Sequence, residues 1–181
     1  MIVVYGDSLS AGYGLPRDAG WVTLLERRLK QKKLNYHIIN ASISGETTLG
    51  GLNRIEQTLA RNKPRIVIVE LGANDGLRGL PLDATRNNLE GILKSCRKQK
   101  VKVLLVGMQL PPNYGKAYTE KFRNIYSELA KRYGVPLVPF LMQGFADRRE
   151  LFQADNVHPT IDAQPLILDN VWKVLKPMLV K

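Results

Sequence analysis

Short apolar runs alternate with longer amphipathic stretches along this chain. Ile2, Val3, Val4 and Tyr5 form the first run. A continuous apolar run with no polar alternation is what a strand buried on both faces requires. Residues 21–34 place Leu24, Leu25 and Leu29 at helical spacing, and residues 36–41 predict a second strand. A helix is expected over 48–61, with Leu49, Leu52, Ile55 and Leu59 on one face. The clearest strand is 65–71, centred on Ile66, Val67, Ile68 and Val69. Asp83 is the expected N-cap of a helix that buries Leu89, Ile92, Leu93 and Cys96. A strand at 101–106 follows, then a helix over 117–133 with Tyr118, Phe122, Ile125, Tyr126 and Leu129 on one face. Gly134 stops that helix. The pattern closes with a short strand at 135–138 and a helix over 162–175, where Pro165 falls in the tolerant first turn.

Strand and helix alternate about five times, and parallel strands joined by helices need both sheet faces covered. The expected fold is a three-layer α/β/α sandwich, flavodoxin-like, with a central parallel sheet of about five strands. No repeat or linker divides the sequence, so one domain is expected over residues 1–181. At 44% hydrophobic and 24% charged residues the chain has the composition of an ordinary globular protein. No apolar run reaches the roughly 18 residues of a membrane span, so stable membrane insertion is not expected. The single cysteine, Cys96, excludes an intrachain disulfide.

The formal net charge is +11. Such an excess attracts anionic lipid, acyl-CoA phosphates or nucleic acid. The local reading is plainer: Arg27, Arg28, Lys30, Lys32 and Lys33 cluster where a helix ends and complement its dipole. No nucleic-acid motif accompanies them. No coiled-coil heptad or exposed apolar stripe is visible, so a monomer is expected.

In open parallel sheets, ligands bind beyond the carboxyl ends of the strands. The polar residues there are Gly6-Asp7-Ser8-Leu9-Ser10, Ser42-Ile43-Ser44-Gly45-Glu46, Gly72-Ala73-Asn74-Asp75, a stretch from Gln109 through Pro111 and Pro112, and Asp155-Asn156-Val157-His158-Pro159. Only two histidines are present. His37 sits in a strand pattern and reads as structural. His158 lies in a loop with Asp155 three residues before it, a spacing that lets the carboxylate orient the ring. Ser8 follows a strand and enters a helix; an N-cap role is the simpler local explanation, and Ser10 is a close competitor. Gly45 and Asn74 offer an N–H and an amide for a developing oxyanion, though each also suits a turn. There is no Gly-x-Ser-x-Gly elbow, Walker A sequence or complete Gly-x-Gly-x-x-Gly.

Taken in order, the four blocks at Gly6-Asp7-Ser8-Leu9-Ser10, Gly45, Gly72-Ala73-Asn74-Asp75 and Asp155-Asn156-Val157-His158-Pro159 resemble those of the GDSL, or SGNH, hydrolases. Gly6 to Tyr13, Leu110-Pro111 with Asn113-Tyr114-Gly115, and Asp162-Ala163-Gln164-Pro165 are similar to the bacterial branch of multifunctional acyl-CoA thioesterases, arylesterases and lysophospholipases, a branch usually periplasmic. The resemblance implies Ser8 as nucleophile, His158 as general base and Asp155 as its orienting carboxylate. It further implies an oxyanion hole of Ser8 N–H, Gly45 N–H and the Asn74 amide. The acyl groove would be walled by Leu77, Leu80, Leu110 and Pro111, and the segment after Asn74, with Gly76 and Gly79, is expected to move on substrate binding. Neither a metal nor another cofactor is implied, and the expected partners are small esters, thioesters or lysophospholipids, not nucleic acid. The family suggests a periplasmic or secreted enzyme; no leader is visible before the first strand, which fits a mature chain. Three alternatives stay open: a carbohydrate acetylesterase of the same fold, a non-catalytic flavodoxin-like binding module, or a membrane-surface or nucleic-acid binder using the cluster from Arg27 to Lys33.

Overall fold

A computed structural model describes residues 1–179. Strands β1 (Ile2–Gly6), β2 (Ile38–Asn40), β3 (Ile66–Glu70), β4 (Lys102–Val106) and β5 (Leu137–Val138) form one parallel sheet in the order β2-β1-β3-β4-β5. The register sets Ile2 beside Ile38 and Ile66, and Ile68 beside Leu104. Every residue of β1 and β3 is buried, as their unbroken apolar pattern requires.

Helices cover both faces. The longer ones are α2 (Trp21–Gln31), α3 (Thr48–Asn62), α5 (Leu82–Lys98), α6 (Lys116–Tyr133) and α7 (Gln164–Leu175). One layer is α2 packed on α7; the other is α5 between α3 and α6. Two short helices, α1 (Ser8–Ala11) and α4 (Ala73–Leu77), sit directly after β1 and β3. This is the expected three-layer flavodoxin-like sandwich. Its order reverses between β1 and β3, and that switch point opens a crevice at their carboxyl ends.

Local chemistry moves several boundaries. The second strand is only Ile38–Asn40: Tyr36 turns into the core, and His37 gives the sheet only its carbonyl, which accepts from Ile2 at 2.8 Å. The fifth shortens to Leu137–Val138. Asp83 is not an N-cap. Pro81 occupies that position, and Asp83 lies in the first turn of α5, where its charge suits the helix dipole and pairs with Lys121 at 3.1 Å. Gly20 begins α2 without a capping side chain; Gln164 Oε1 supplies the cap, accepting from Trp21 N–H at 3.0 Å across the layer. The last helical segment opens as a 3-10 turn at Ile161–Ala163, and Pro165 follows in the first turn of α7.

Candidate active site

Ser8 is the first residue of α1, and Asp7 is its N-cap, accepting from Leu9 N–H at 3.0 Å. Ser8 is therefore not the cap. Its hydroxyl stands free of the helix, and its own N–H is one of the first-turn donors that no intrahelical carbonyl reaches. Gly6 has to be glycine here, because a Cβ would come within 2.7 Å of Glu70 Oε2 and 2.8 Å of Ser10 Oγ. Ser10 is buried and donates to Glu70 Oε2 at 2.7 Å, which commits it to the interior.

The loop after the 3-10 turn Arg149–Leu151 brings His158 to Ser8. Phe152 and Pro159 bridge antiparallel, and Gln153 N–H donates to His158 O at 2.8 Å, so the loop folds back on itself. Asn156 turns it in the left-handed region at φ 56°. Asp155 Oδ1 accepts from Val157 N–H at 2.9 Å and His158 N–H at 3.0 Å, and Oδ2 meets His158 Nδ1 at 2.6 Å. His158 Nε2 is 2.8 Å from Ser8 Oγ. A carboxylate can only accept, so Nδ1 carries the proton and Nε2 presents its lone pair to the hydroxyl. Slight burial pushes the Asp155 carboxyl up, but the two backbone N–H groups, the ring bond and the His158 charge outweigh it and hold the carboxyl down at about 2. Tyr13 packs against the His158 ring with centroids 4.5 Å apart.

Gly45 and Asn74 arrive from the other side of the crevice. Gly45 has φ +81°, a backbone position that suits glycine. Its carbonyl accepts from Arg78 at 3.1 Å, and the adjoining Glu46 is ion-paired to Arg54, whose guanidinium lies 4.1 Å over the Tyr5 ring. Asn74 Nδ2 donates to Glu46 O at 2.9 Å and, more weakly, to Asp7 Oδ2 at 3.3 Å. Asp75 ties the same two segments: it accepts from Thr48 N–H at 2.9 Å and Thr48 Oγ1 at 2.5 Å. Ser8, Gly45, Asn74 and His158 line one open cavity of about 180 Å³ with Tyr13, Met108, Met142 and Val157.

A larger cavity of about 680 Å³ adjoins it and shares Leu77, Met108, Met142 and Val157. Leu110, Pro111, Phe140 and Phe152 extend its apolar wall. Of the four expected wall residues, Leu77, Leu110 and Pro111 are there, but Leu80 lines neither cavity. The chain turns at Gly79, φ +66°, and carries Leu80 toward α6, where its carbonyl accepts from Tyr118 at 3.2 Å. Gly76 lies within α4, where a Cβ would come within 2.6 Å of Leu110, and Tyr114 donates to Leu77 O at 2.8 Å. Gly76 permits close packing there.

Beneath the crevice lies a feature the sequence reading did not isolate. Asp7 and Glu70 are both buried, at the ends of neighbouring strands. Burial pushes Asp7 up to about 6, although the Leu9 N–H and the Glu70 carboxyl draw it back. Burial, and then the Asp7 charge, push Glu70 well above the carboxylate range, although Ser10 opposes the shift. Glu70 thus favours its protonated form. Its place after the apolar run 66–69 was the available signal: a polar residue continuing a buried strand stays buried. Met108 and Met142 gave no comparable signal, since an apolar residue after a strand reads equally well as core.

A flavodoxin-like sandwich with an aligned serine, histidine and carboxylate at its switch point defines the class: a serine hydrolase. Residues 4–164 match the GDSL-like Lipase/Acylhydrolase family, and the chain belongs to that family. It is 46% identical to Esterase TesA of Pseudomonas aeruginosa over 178 residues, 98% of this chain and 89% of that protein. It is 42% identical to Thioesterase 1/protease 1/lysophospholipase L1 of Escherichia coli, over 98% of this chain and 84% of that one. The crystal structure of the esterase EstA from Pseudoalteromonas sp., inhibited by monoethylphosphonate, superposes with a TM-score of 0.93 at 38% identity, covering 98% of this chain and 97% of that one. The protein is therefore an enzyme, a serine hydrolase acting on ester and thioester bonds.

Proposed function

We propose that Ser8 is the nucleophile, His158 the general base and then acid, and Asp155 the group that orients it. The observation that carries this reading is the unbroken line from Ser8 Oγ to His158 Nε2 at 2.8 Å and from Nδ1 to Asp155 at 2.6 Å. Ser8 Oγ attacks the acyl carbonyl as its proton passes to Nε2, and the imidazolium is held by the Asp155 carboxylate. The carbonyl oxygen becomes an anion, stabilised by the N–H groups of Ser8 and Gly45 and by Asn74 Nδ2. The substrate oxygen takes the place of Asp7 Oδ2, the longer of the two Asn74 bonds. The alcohol or thiol leaves with the proton from His158, and water then repeats the attack on the acyl-serine.

The adjoining apolar cavity receives the acyl chain. Its wall of Leu77, Met108, Leu110 and Met142 favours fatty acyl esters, acyl thioesters and lysophospholipids over acetylated sugars. Among the described residues no helix is long and apolar enough to cross a membrane. The enzyme acts as a monomer with one domain over residues 1–181, as the lack of a heptad, apolar stripe or linker in the sequence suggests, and it works in the periplasm or outside the cell, as the resemblance to its branch implies.

The test is turnover of p-nitrophenyl esters from acetate to palmitate, of acyl-CoA and of lysophosphatidylcholine, with labelling by a fluorophosphonate. Turnover that persists in Ser8→Ala, or a label carried on another residue, would sink the assignment. Preference for acetyl xylan over every longer acyl ester would favour a carbohydrate acetylesterase instead.

A further inference from the structure

In a parallel sheet every helix-to-strand connection lies at one edge, the amino edge, opposite the active site. In this chain every charged residue of those connections is Lys or Arg. The turn after α2 has Lys32 and Lys33; the turn after α3 has Arg61, Lys63 and Arg65. The end of α5 and the turn after it have Arg97, Lys98, Lys100 and Lys102, and the ends of α6 and α7 continue the pattern with Lys131, Arg132 and Lys173, followed by Lys176. All of these side chains are exposed. The active-site edge is mixed, with Asp18, Asp83, Asp147, Glu150 and Asp162 among Arg17, Arg78, Arg148 and Arg149. The charge excess of +11 is thus concentrated at one end of the molecule.

Dipole complementarity explains a cation in the last helical turn. It does not explain Lys33, Lys63 and Lys100, which lie just past their helices in the left-handed region at φ 54°, 45° and 58°. Glycine is the usual residue at that step, and α6 uses Gly134 at φ 63°. Three turns instead hold a strained lysine with its ammonium in solvent.

We propose that this amino edge is a docking face for an anionic lipid surface. The choice of lipid over another polyanion rests on the reading of the enzyme as a hydrolase of lipid acyl esters. Two further features favour it. Lysine outnumbers arginine over the whole edge, and its ammonium suits diffuse headgroup contact better than planar recognition of bases. The rings on this face are also already engaged: Trp172 is covered by Arg28 at 5.6 Å and Lys32 at 6.0 Å, Tyr133 by Arg132 at 5.9 Å, and Tyr36 is buried. Docked this way, the active site points away from the lipid and toward freely diffusing substrate.

The experiment is co-sedimentation with vesicles of phosphatidylcholine alone or mixed with phosphatidylglycerol, at ~0.1 M salt, where surface charge is partly screened. Native protein is expected on the mixed vesicles only, with binding that falls as salt rises. The triple variant Lys33→Gly, Lys63→Gly, Lys100→Gly should bind roughly 100-fold more weakly. Glycine suits all three positions, so its thermal midpoint should hold or rise, and p-nitrophenyl ester turnover should be unchanged. Equal binding to both vesicle types, or unaltered binding by the triple variant, overturns the proposal. So does displacement from vesicles by coenzyme A or single-stranded DNA at concentrations too low to act by screening. Vesicle binding is read apart from turnover, so a protein that docks but cleaves nothing refutes the proposed function and leaves this inference standing.

Discussion

The two edges of the sheet are made from the same kind of connection, a few residues between strand and helix, yet they place left-handed backbone differently. At the carboxyl edge it falls on Gly12, Gly45, Gly72 and Gly79, with Asp18 and Asn156, residue types that tolerate it. At least one of these glycines is enforced by crowding: a Cβ on Gly72 would stand 2.2 Å from the Tyr126 hydroxyl. At the amino edge three such positions are lysine, all exposed. The carboxyl edge is constrained by what must approach closely there, namely a nucleophile, two donors and a buried pair of carboxyls. At the amino edge the side chains of Lys33, Lys63 and Lys100 are exposed, so they answer to solvent or to a partner. Substitution of Ser8 or Asn74 should therefore change chemistry with little change in stability, and substitution of an exposed amino-edge lysine should do the reverse.

The largest effect belongs to the carboxyl edge. Ser8→Ala removes the attacking atom and is expected to lower kcat by roughly 10⁴–10⁶-fold. Ser8 is partly exposed and Asp7, not Ser8, caps the helix, so the thermal midpoint should barely move. A variant that unfolds early would mean that Ser8 helps hold the edge together, and the contrast would blur. Asn74→Ala comes next, with a loss of about 10²–10³ in kcat and a smaller change in KM, as for removal of one oxyanion donor. Equal loss in KM alone would show that Asn74 binds the ground state and the transition state alike.

How much of each edge the sequence revealed follows the same contrast. β1 and β3 were legible because both faces are buried and the apolar run is unbroken. β2 was over-extended because Tyr36, His37 and Ala41 look strand-like, although Ile38 and Ile39 are only half-buried at the sheet margin. Ser8, Gly45 and Asn74 could be proposed because each follows a strand in a short polar block, and Asp155 and His158 because of their three-residue spacing in the loop before the last helix; the structure brings all five to one crevice. Leu80 was misplaced because the turn at Gly79 decides its direction, and that turn depends on packing against α6. The basic edge was visible only as scattered helix ends. Its meaning needed the parallel topology, which gathers distant turns onto one surface.

The buried pair gives the third prediction. Asp7 has its carboxyl raised to about 6, mainly by burial, so the folded state holds that proton more tightly than the unfolded chain. The resulting stability is fully present below the ordinary carboxylate range, and it is lost as pH rises through about 6. Asp7→Asn keeps a capping oxygen for Leu9 and cannot ionise. Across pH 5 to 7.5 the native protein should lose on the order of 1–3 kcal/mol of stability relative to the variant. Parallel curves from denaturant unfolding would show that Asp7 keeps one protonation state throughout.

The smallest effect is the one that most directly separates the two edges. Lys63 closes α3 at φ 45°, and its N–H still reaches Leu59 O at 2.9 Å. Its side chain is exposed, so Lys63→Gly removes no buried surface and keeps the closing bond. The left-handed conformation costs an L-residue about 1–2 kcal/mol, and glycine returns part of that through its freer unfolded chain. The net expectation is a gain of roughly 0.5–1 kcal/mol, or about 1–4 °C in Tm for a chain of this size. Esterase kcat should not change, because α3 starts at the active-site edge and ends at the other. A fall in Tm would mean that Lys63 makes a stabilising contact within the fold, and its strain would then need no external partner to account for it. A rise in Tm with activity intact would leave the charge itself as the reason for lysine there.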